Sequence, residues 1–224
     1  MFCGSLNLCS RENKLERRTW SLYSIAAVAL FVFLGLGRMV MANQTLAFDT
    51  AVRNTIHGWA SNPLTWLMTG ITQIGAPAVL IVVTLVAGWL FAAKGQTRLA
   101  AVLAISTIGA AAVDESLKVV YHRIRPVAFF GYDEPMTYSF PSGHAATSVC
   151  FYGLLAMIVT ARTKSAARRR ACWAATGLLV LLIGFSRVYL GVHYPTDVLG
   201  GYAFGLVWIL AVVPSTAGRW LRRV

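Results

Sequence analysis

Acidic residues are scarce in this chain. Eight Asp and Glu stand against twenty Lys and Arg in 224 residues, and charged types together make up 12%, about half the share usual in a soluble domain. With a mean hydropathy of +0.64, so little charge cannot supply a water-soluble surface. The same numbers exclude a disordered chain. The few acids form no cluster of the kind that holds two catalytic metal ions. Cysteine is sparse as well. Cys3, Cys9, Cys150 and Cys172 contain no C-x2-C zinc pair and no disulfide framework, and all four read as inert. No internal repeat is evident.

What the chain does have is long apolar runs. Six of them cover residues 21–37, 71–93, 99–120, 144–160, 171–188 and 197–213, and a bilayer-crossing helix needs about 20 residues. The expected fold class is all-α: an integral membrane bundle of six transmembrane helices in one domain, residues 21–214. It is flanked by a tail at 1–20 and a basic tail at 215–224. A secretory signal cut near Val40-Met41-Ala42 competes for the first run. Its apolar core is long for that role and Arg38 follows it, so an uncleaved first helix is expected. The stretch 43–62 is more polar. Phe48, Val52, Ile56 and Trp59 recur there at spacings of 4, 4 and 3, which is one helical face. Asp49 and Arg53 form an i,i+4 pair on the other side. This segment reads as a short interfacial helix between spans 1 and 2, or as a loop helix packed on the bundle.

The loops sort by charge. With the N-terminus cytoplasmic, fourteen of the twenty basic residues fall on one side: Arg11, Lys14, Arg17, Arg18, Lys94, Arg98, the five within 162–170, Arg219, Arg222 and Arg223. Cytoplasmic loops collect Lys and Arg, so both termini are expected inside. The Arg168-Arg169-Arg170 cluster then needs no nucleic-acid partner. Among the exceptions, Lys118, Arg125 and Arg187 lie near the outer ends of spans three and five. One cation at a span end is ordinarily a snorkelling anchor. Three on one face suggest an anion site.

Three outward-facing segments carry chemistry. Ser142 precedes the fourth span and is a good N-cap type. The N–H groups of Gly143 and His144 then sit on an open helix N-terminus, which either binds phosphate or is simply capped. His193 and Asp197 are four apart with Pro195 between them, and proline suits a first helical turn. Asp197 can therefore fold back onto the imidazole, fix its tautomer and leave the other nitrogen as a nucleophile; a buried structural His–Asp pair would use the same spacing. Lys118, Arg125 and Arg187 could surround a phosphoryl group, whose planar oxygens suit guanidinium forks. Pro126 fixes the backbone after Arg125.

Taken together, Lys118-x6-Arg125-Pro126, Pro141-Ser142-Gly143-His144 and Ser186-Arg187-x5-His193-x3-Asp197 resemble the three-part signature of the type 2 phosphatidic acid phosphatase (PAP2) superfamily. All eleven specified positions match, in order. The resemblance implies a membrane lipid phosphatase that needs no metal and no cofactor. It implies that His193 attacks phosphorus, Asp197 orients it, and His144 protonates the leaving oxygen and then activates water. Lys118, Arg125, Ser142, Gly143 and Arg187 would hold the phosphoryl oxygens. Substrates in the family are phosphatidic acid, phosphatidylglycerol phosphate, prenyl phosphates or diphosphates, and lipid A phosphates. The expected partners are the lipid substrate and the bilayer, and the compact form resembles bacterial members, which places it in the inner membrane with its site on the periplasmic side. Two alternatives come from other classes: a vanadate-dependent haloperoxidase, which shares the signature, and a non-catalytic lipid-phosphate transporter, which would need cations but no nucleophile.

Several residues fall outside the signature. Asp114 lies one turn before Lys118 and can pair with it, as a functional or a structural contact. His122 and Arg123 read as solvated loop positions, and His57 as lying on the polar side of its helix. Phe129, Phe130, Tyr132 and Tyr138 are interface-type side chains in a loop expected to shape the headgroup pocket. Gly201 and Gly205 mark a close helix contact, within the chain or between two copies.

Overall fold

The computed structural model describes the backbone of residues 3–132 and 137–213, with side chains from residue 20 onward within those ranges. The basic side chains of both tails, and the side chains of Cys3 and Cys9, lie outside what is described. Among the described residues all regular structure is helical. The elements are α1 (Cys3–Met41), α2 (Leu46–His57), α3 (Asn62–Ile74), α4 (Pro77–Ala93), α5 (Thr97–Ala104), α6 (Ala110–Tyr121), α7 (Gly143–Ala161), α8 (Ala166–Tyr189) and α9 (Pro195–Val212). A π-helical turn, Ile105–Gly109, joins α5 to α6.

Five helical stretches are long and apolar enough to cross a membrane: Trp20–Met41, Thr97–Tyr121, Gly143–Ala161, Ala166–Tyr189 and Pro195–Val212. The sixth expected span, over 71–93, is not one helix. It is the pair α3 and α4, which pass the same test only together and bend by 42° between them. The cause lies in two residues. Pro77 has no N–H to donate and would clash with a preceding carbonyl, and it holds Ala76 in an extended conformation (ψ 125°). Gly75 brings the end of α3 against the bundle: a Cβ there would lie 2.2 Å from Ile183 Cγ2 and 2.9 Å from Ser148 Oγ. The third span is also interrupted. A π turn leaves a carbonyl less committed to the helix, and Trp208 Nε1 donates to that of Ile105 at 3.1 Å.

Lipid is as apolar as leucine, so close packing rather than apolar burial holds such helices together. α9 packs against both α7 and α1. An added Cβ at Gly201 would lie 2.5 Å from the Ser142 carbonyl oxygen and 2.8 Å from Ala145 Cβ; at Gly205 it would lie 2.8 Å from the Ala146 carbonyl oxygen. The two glycines therefore do mark a close contact, and α7 of the same chain fills it, so this face is not open to a second copy. Outside the bundle, Phe31, Trp66 and Trp89 are exposed, a surface suited to hydrocarbon and not to water.

α2 is built into the bundle. Ile56 joins a cluster with Val188, Leu190 and Val198, and Val52 packs against it. Phe48 and Trp59 point outward. The single apolar face read from the spacing is thus divided between the protein and its surroundings. The expected Asp49–Arg53 pair is not formed: Asp49 is fully buried and binds Arg123, while Arg53 donates to the carbonyls of Val127 and Gly191. Long-range partners displace the local pair: Arg53 is drawn to the two carbonyls, and the buried Asp49 carboxylate, which needs a cation, takes the nearly buried Arg123.

Candidate active site

Three chain segments meet at one end of the bundle. The first is the C-terminal end of α6 and the strand-like stretch after it. His122 closes the helix in a left-handed conformation (φ 48°), and Pro126 keeps the residue before it extended. The second is the start of α7. The third runs from the end of α8 through a tight loop into α9.

Lys118 is buried in the last turn of α6. Its Nζ donates to Asp114 Oδ2 at 3.0 Å and to Glu115 Oε1 at 2.6 Å. The expected Asp114 contact is therefore present, and Glu115 adds a second carboxylate. Gly143, in the first turn of α7, faces this pair: a Cβ there would sit 2.8 Å from Asp114 Oδ2 and 3.6 Å from Lys118 Nζ. Only glycine lets the two helices approach so closely. Ser142 occupies the N-cap position of α7, but its hydroxyl does not cap the helix. That hydroxyl is buried and without a hydrogen-bond partner among the described residues. Its backbone N–H donates instead to the Asp197 carbonyl at 3.0 Å, which ties the start of α7 to the start of α9.

Pro195 opens α9, as the spacing predicts, and Asp197 sits at the third helical position, where its Oδ2 accepts the Tyr194 N–H at 2.9 Å. The same oxygen lies 3.3 Å from His193 Nδ1. With Nδ1 facing a carboxylate, the network selects the tautomer that leaves Nε2 as the acceptor. Arg125 Nη1 donates to Nε2 at 3.1 Å and to the Val192 carbonyl at 3.2 Å, while Arg125 Nε donates to the Thr137 carbonyl at 2.8 Å. His193 is buried, and Arg125, Arg187 and Lys118 surround it; burial first, then those cations, push its imidazole well below the ordinary histidine range. It is neutral at neutral pH, which is the form a nucleophile needs.

Arg187, from the end of α8, is fully buried and donates from Nη1 to Thr72 Oγ1 at 2.7 Å. His144 lies in electrostatic range of Arg187, His193, Lys118 and Arg125. Lys118, Arg125, Gly143, His144, Arg187, His193 and Asp197 are thus brought together, with Ser142 at their edge. Among the described residues no three His, Cys, Asp or Glu side chains are grouped as metal ligands.

Arg123 was expected in solvent beside His122. His122 is exposed, but Arg123 is not. Its guanidinium is nearly buried and bridges Asp49 Oδ2 at 2.6 Å and Asp197 Oδ1 at 2.5 Å. It also donates to Thr45 Oγ1 at 3.1 Å and Thr196 Oγ1 at 2.8 Å, and stacks on Tyr194 at 4.2 Å. The available signal was its spacing of two from Arg125 in a stretch made extended by Pro126, where alternate side chains share a side. Asp49 and Thr72 were missed as well, and a single residue far along the chain offers no such signal.

The loop aromatics pack on the protein more than expected. Phe129 stacks on His57 at 3.7 Å and carries Arg53 over its face at 3.9 Å; His57 is therefore a packing partner and not merely a polar-face residue. Phe130 stacks on Tyr189, and Tyr138 meets His122. Tyr132 is the one that borders the cationic site, 5.8 Å from the Arg187 guanidinium.

A buried imidazole backed by a carboxylate and ringed by three cations, with a second histidine alongside, can hold an anion and attack it. The PAP2 superfamily model matches residues 98–220. The chain is 32% identical over 189 residues to phosphatidylglycerophosphatase B of Bacillus subtilis (strain 168), covering 83% of this chain and 92% of the relative. It is 28% identical to the undecaprenyl-diphosphatase of Sulfolobus acidocaldarius, covering 81% and 86%. The crystal structure of the transmembrane PAP2-type phosphatidylglycerolphosphate phosphatase from Bacillus subtilis superposes with a TM-score of 0.74 at 28% identity, covering 84% of this chain and 93% of that one.

Proposed function

The chain belongs to the PAP2 superfamily of phosphatases, and from that membership we propose that it is an integral membrane lipid phosphatase. It removes a phosphate from the monoester or diphosphate of an amphiphilic lipid by way of a phosphohistidine. The observation that carries the reading is the buried His193–Asp197 pair, 3.3 Å apart, with Arg125 on the free ring nitrogen and Lys118 and Arg187 alongside.

In the first step His193 Nε2 attacks phosphorus, and the bond from phosphorus to the leaving oxygen breaks. His144 gives that oxygen its proton. The imidazole gains positive character, which Asp197 balances through Nδ1–H. In the second step His144 takes a proton from water, the hydroxide attacks phosphorus, and the N–P bond returns its electron pair to Nε2. Lys118, Arg125, Arg187, the Ser142 hydroxyl and the Gly143 N–H hold the phosphoryl oxygens, on which charge accumulates in both transition states. Every role is filled by a side chain or amide of the chain, so the reaction proceeds without a metal.

The substrate reaches the site from the bilayer. Ile124 and Val127 flank the Arg125-Pro126 pair and are highly exposed, which suits contact with lipid tails while the phosphate enters the cationic cup. In this reading α3 and α4 act as one bent span, six spans cross a bacterial inner membrane, both termini are cytoplasmic, and α2 lies at the periplasmic interface above the site. The relatives act, by their names, on a phosphatidylglycerol phosphate and on an undecaprenyl diphosphate, and both belong to the proposed substrate class. The loop at 127–140 contributes to the choice between them.

The test is phosphate release by the purified protein in detergent from phosphatidic acid, phosphatidylglycerol phosphate, prenyl diphosphate and lipid A, with and without EDTA. Release from at least one of them, unchanged by EDTA and abolished in His193→Ala, is expected. A His193→Ala protein that releases phosphate at the normal rate overturns the mechanism, and loss in EDTA restored by a divalent cation overturns the metal-free step.

A further inference from the structure

Between α2 and the active site lies a buried ion pair, Asp49 and Arg123, that none of the steps above uses. Asp49, in α2, is fully buried. Its Oδ1 accepts the Thr196 N–H at 3.0 Å, and its Oδ2 accepts the Thr196 hydroxyl at 2.7 Å and Arg123 Nη2 at 2.6 Å. Arg123 Nη1 turns the other way, to Asp197 Oδ1 at 2.5 Å. One guanidinium therefore joins two carboxylates, only one of which touches His193.

We propose that Arg123, clamped by Asp49, is a positioning residue for the Asp197–His193 pair, which makes α2 part of the catalytic apparatus; this rests on the phosphatase reading above. A carboxylate that rotates about its last bond can offer either oxygen to an imidazole. Here Oδ1 is taken by Arg123, so the plane is set and Oδ2 is the oxygen left for His193 Nδ1 and the Tyr194 N–H. Arg123 is itself held at several points. Tyr194 covers its face at 4.2 Å, the Thr45 and Thr196 hydroxyls accept from it, and its backbone carbonyl accepts the Ser139 N–H at 2.8 Å. These contacts hold the guanidinium in place against Asp197.

Charge makes the same point. Arg123 and Asp197 alone would be a neutral pair. Asp49 adds a second negative charge, so the cluster carries a net charge of −1 next to a ring that turns cationic when Nε2 is phosphorylated. A contact serving only to staple α2 to α9 needs no more than the hydrogen bonds from Thr196 to Asp49. The bridge to Asp197 is what connects it to the chemistry.

The experiment compares Arg123→Lys, Arg123→Ala and Asp49→Asn with wild type and His193→Ala, each purified in detergent and checked for folding by size exclusion and melting. On phosphatidylglycerol phosphate, or whichever lipid phosphate wild type turns over, the folded variants should lose kcat by about 10–100-fold, the scale seen when an outer partner of a functional histidine is removed, with KM within about twofold. Added guanidinium ion should restore Arg123→Ala and leave His193→Ala inactive, an effect a purely structural role does not produce. Independently of any substrate, the NMR signal of the His193 Nδ1 proton should shift in Arg123→Lys and Asp49→Asn. Folded variants with wild-type kcat and an unmoved His193 signal overturn the inference. If Arg123→Ala does not fold, Arg123→Lys and Asp49→Asn decide. A wild-type protein inactive on every lipid phosphate, with the His193 signal still moving in the variants, overturns the phosphatase reading and leaves the positioning role standing.

Discussion

Gly201→Ala tests whether helix packing sets the geometry of the site. A Cβ at 201 would lie 2.5 Å from the Ser142 carbonyl oxygen, 2.8 Å from Ala145 Cβ and 3.3 Å from the Ala146 nitrogen, where 3.4 Å begins ordinary contact. Two of those atoms are backbone and cannot rotate away. Relief needs α7 and α9 to separate by about 0.9 Å at the point where Ser142 N–H bonds the Asp197 carbonyl. That movement separates His144 from His193. Overpacking costs about 1–3 kcal/mol, partly offset by the roughly 1 kcal/mol gained when alanine replaces glycine within a helix. Stability should therefore change little. Activity should change much more, because a displacement of about 1 Å in a catalytic geometry can cost about 10²-fold. Gly177→Ala in α8 is the control: nothing lies within 4 Å of its added Cβ, so kcat should hold and melting should stay level or rise. The assay is phosphate release at saturating lipid phosphate, normalised to folded protein, with melting in detergent alongside. Gly201→Ala with wild-type kcat would refute the argument that the glycine contact sets the spacing of the two histidines.

Other outcomes follow from the same geometry. The chain has four histidines, so the His193 ring can be assigned by NMR from its loss in His193→Ala. Its signal should not titrate as pH falls through about 6.5, the ordinary histidine value, because burial and three cations hold its folded pKa well below that. The unfolded chain binds a proton there that the folded one does not, so this contribution to stability is complete above about pH 6.5 and declines as pH falls; a titration midpoint at or above 6.5 would contradict the assignment. Arg187→Lys removes a buried fork that meets Thr72 and offers one point charge in its place. Phosphate release should drop by about 10²–10³ in kcat/KM, the scale for losing a donor to a developing oxyanion, and a loss of under about threefold would place Arg187 outside the phosphoryl site.

The residues of the cationic site were readable because phosphoryl chemistry, its proposed use, demands particular side chains and the backbone fixes their spacing. His193 and Asp197 can meet only because four residues make one helical turn, and Pro195 says where that turn begins. The bend between α3 and α4 was harder. Residues 71–93 contain no charged side chain, and hydropathy does not register that Pro77 stops a helix or that Gly75 is a contact with Ile183. Hardest of all was Arg123, whose partners Asp49 and Asp197 lie 74 residues away on either side. Pattern cannot find such a pairing, but scarcity narrows it. In a chain with eight acids, a buried carboxylate must be neutralised by a cation. Asp114 has Lys118 one turn away. Asp49 has Arg53 at the same spacing, yet Arg53 is drawn to the loop carbonyls of Val127 and Gly191. Those carbonyls belong to two loops, one after α6 and one between α8 and α9, with no regular structure to satisfy them, and an unsatisfied polar group there is costly. Arg53 is committed to holding these loops, and Asp49 is left to Arg123, a guanidinium that also reaches Asp197.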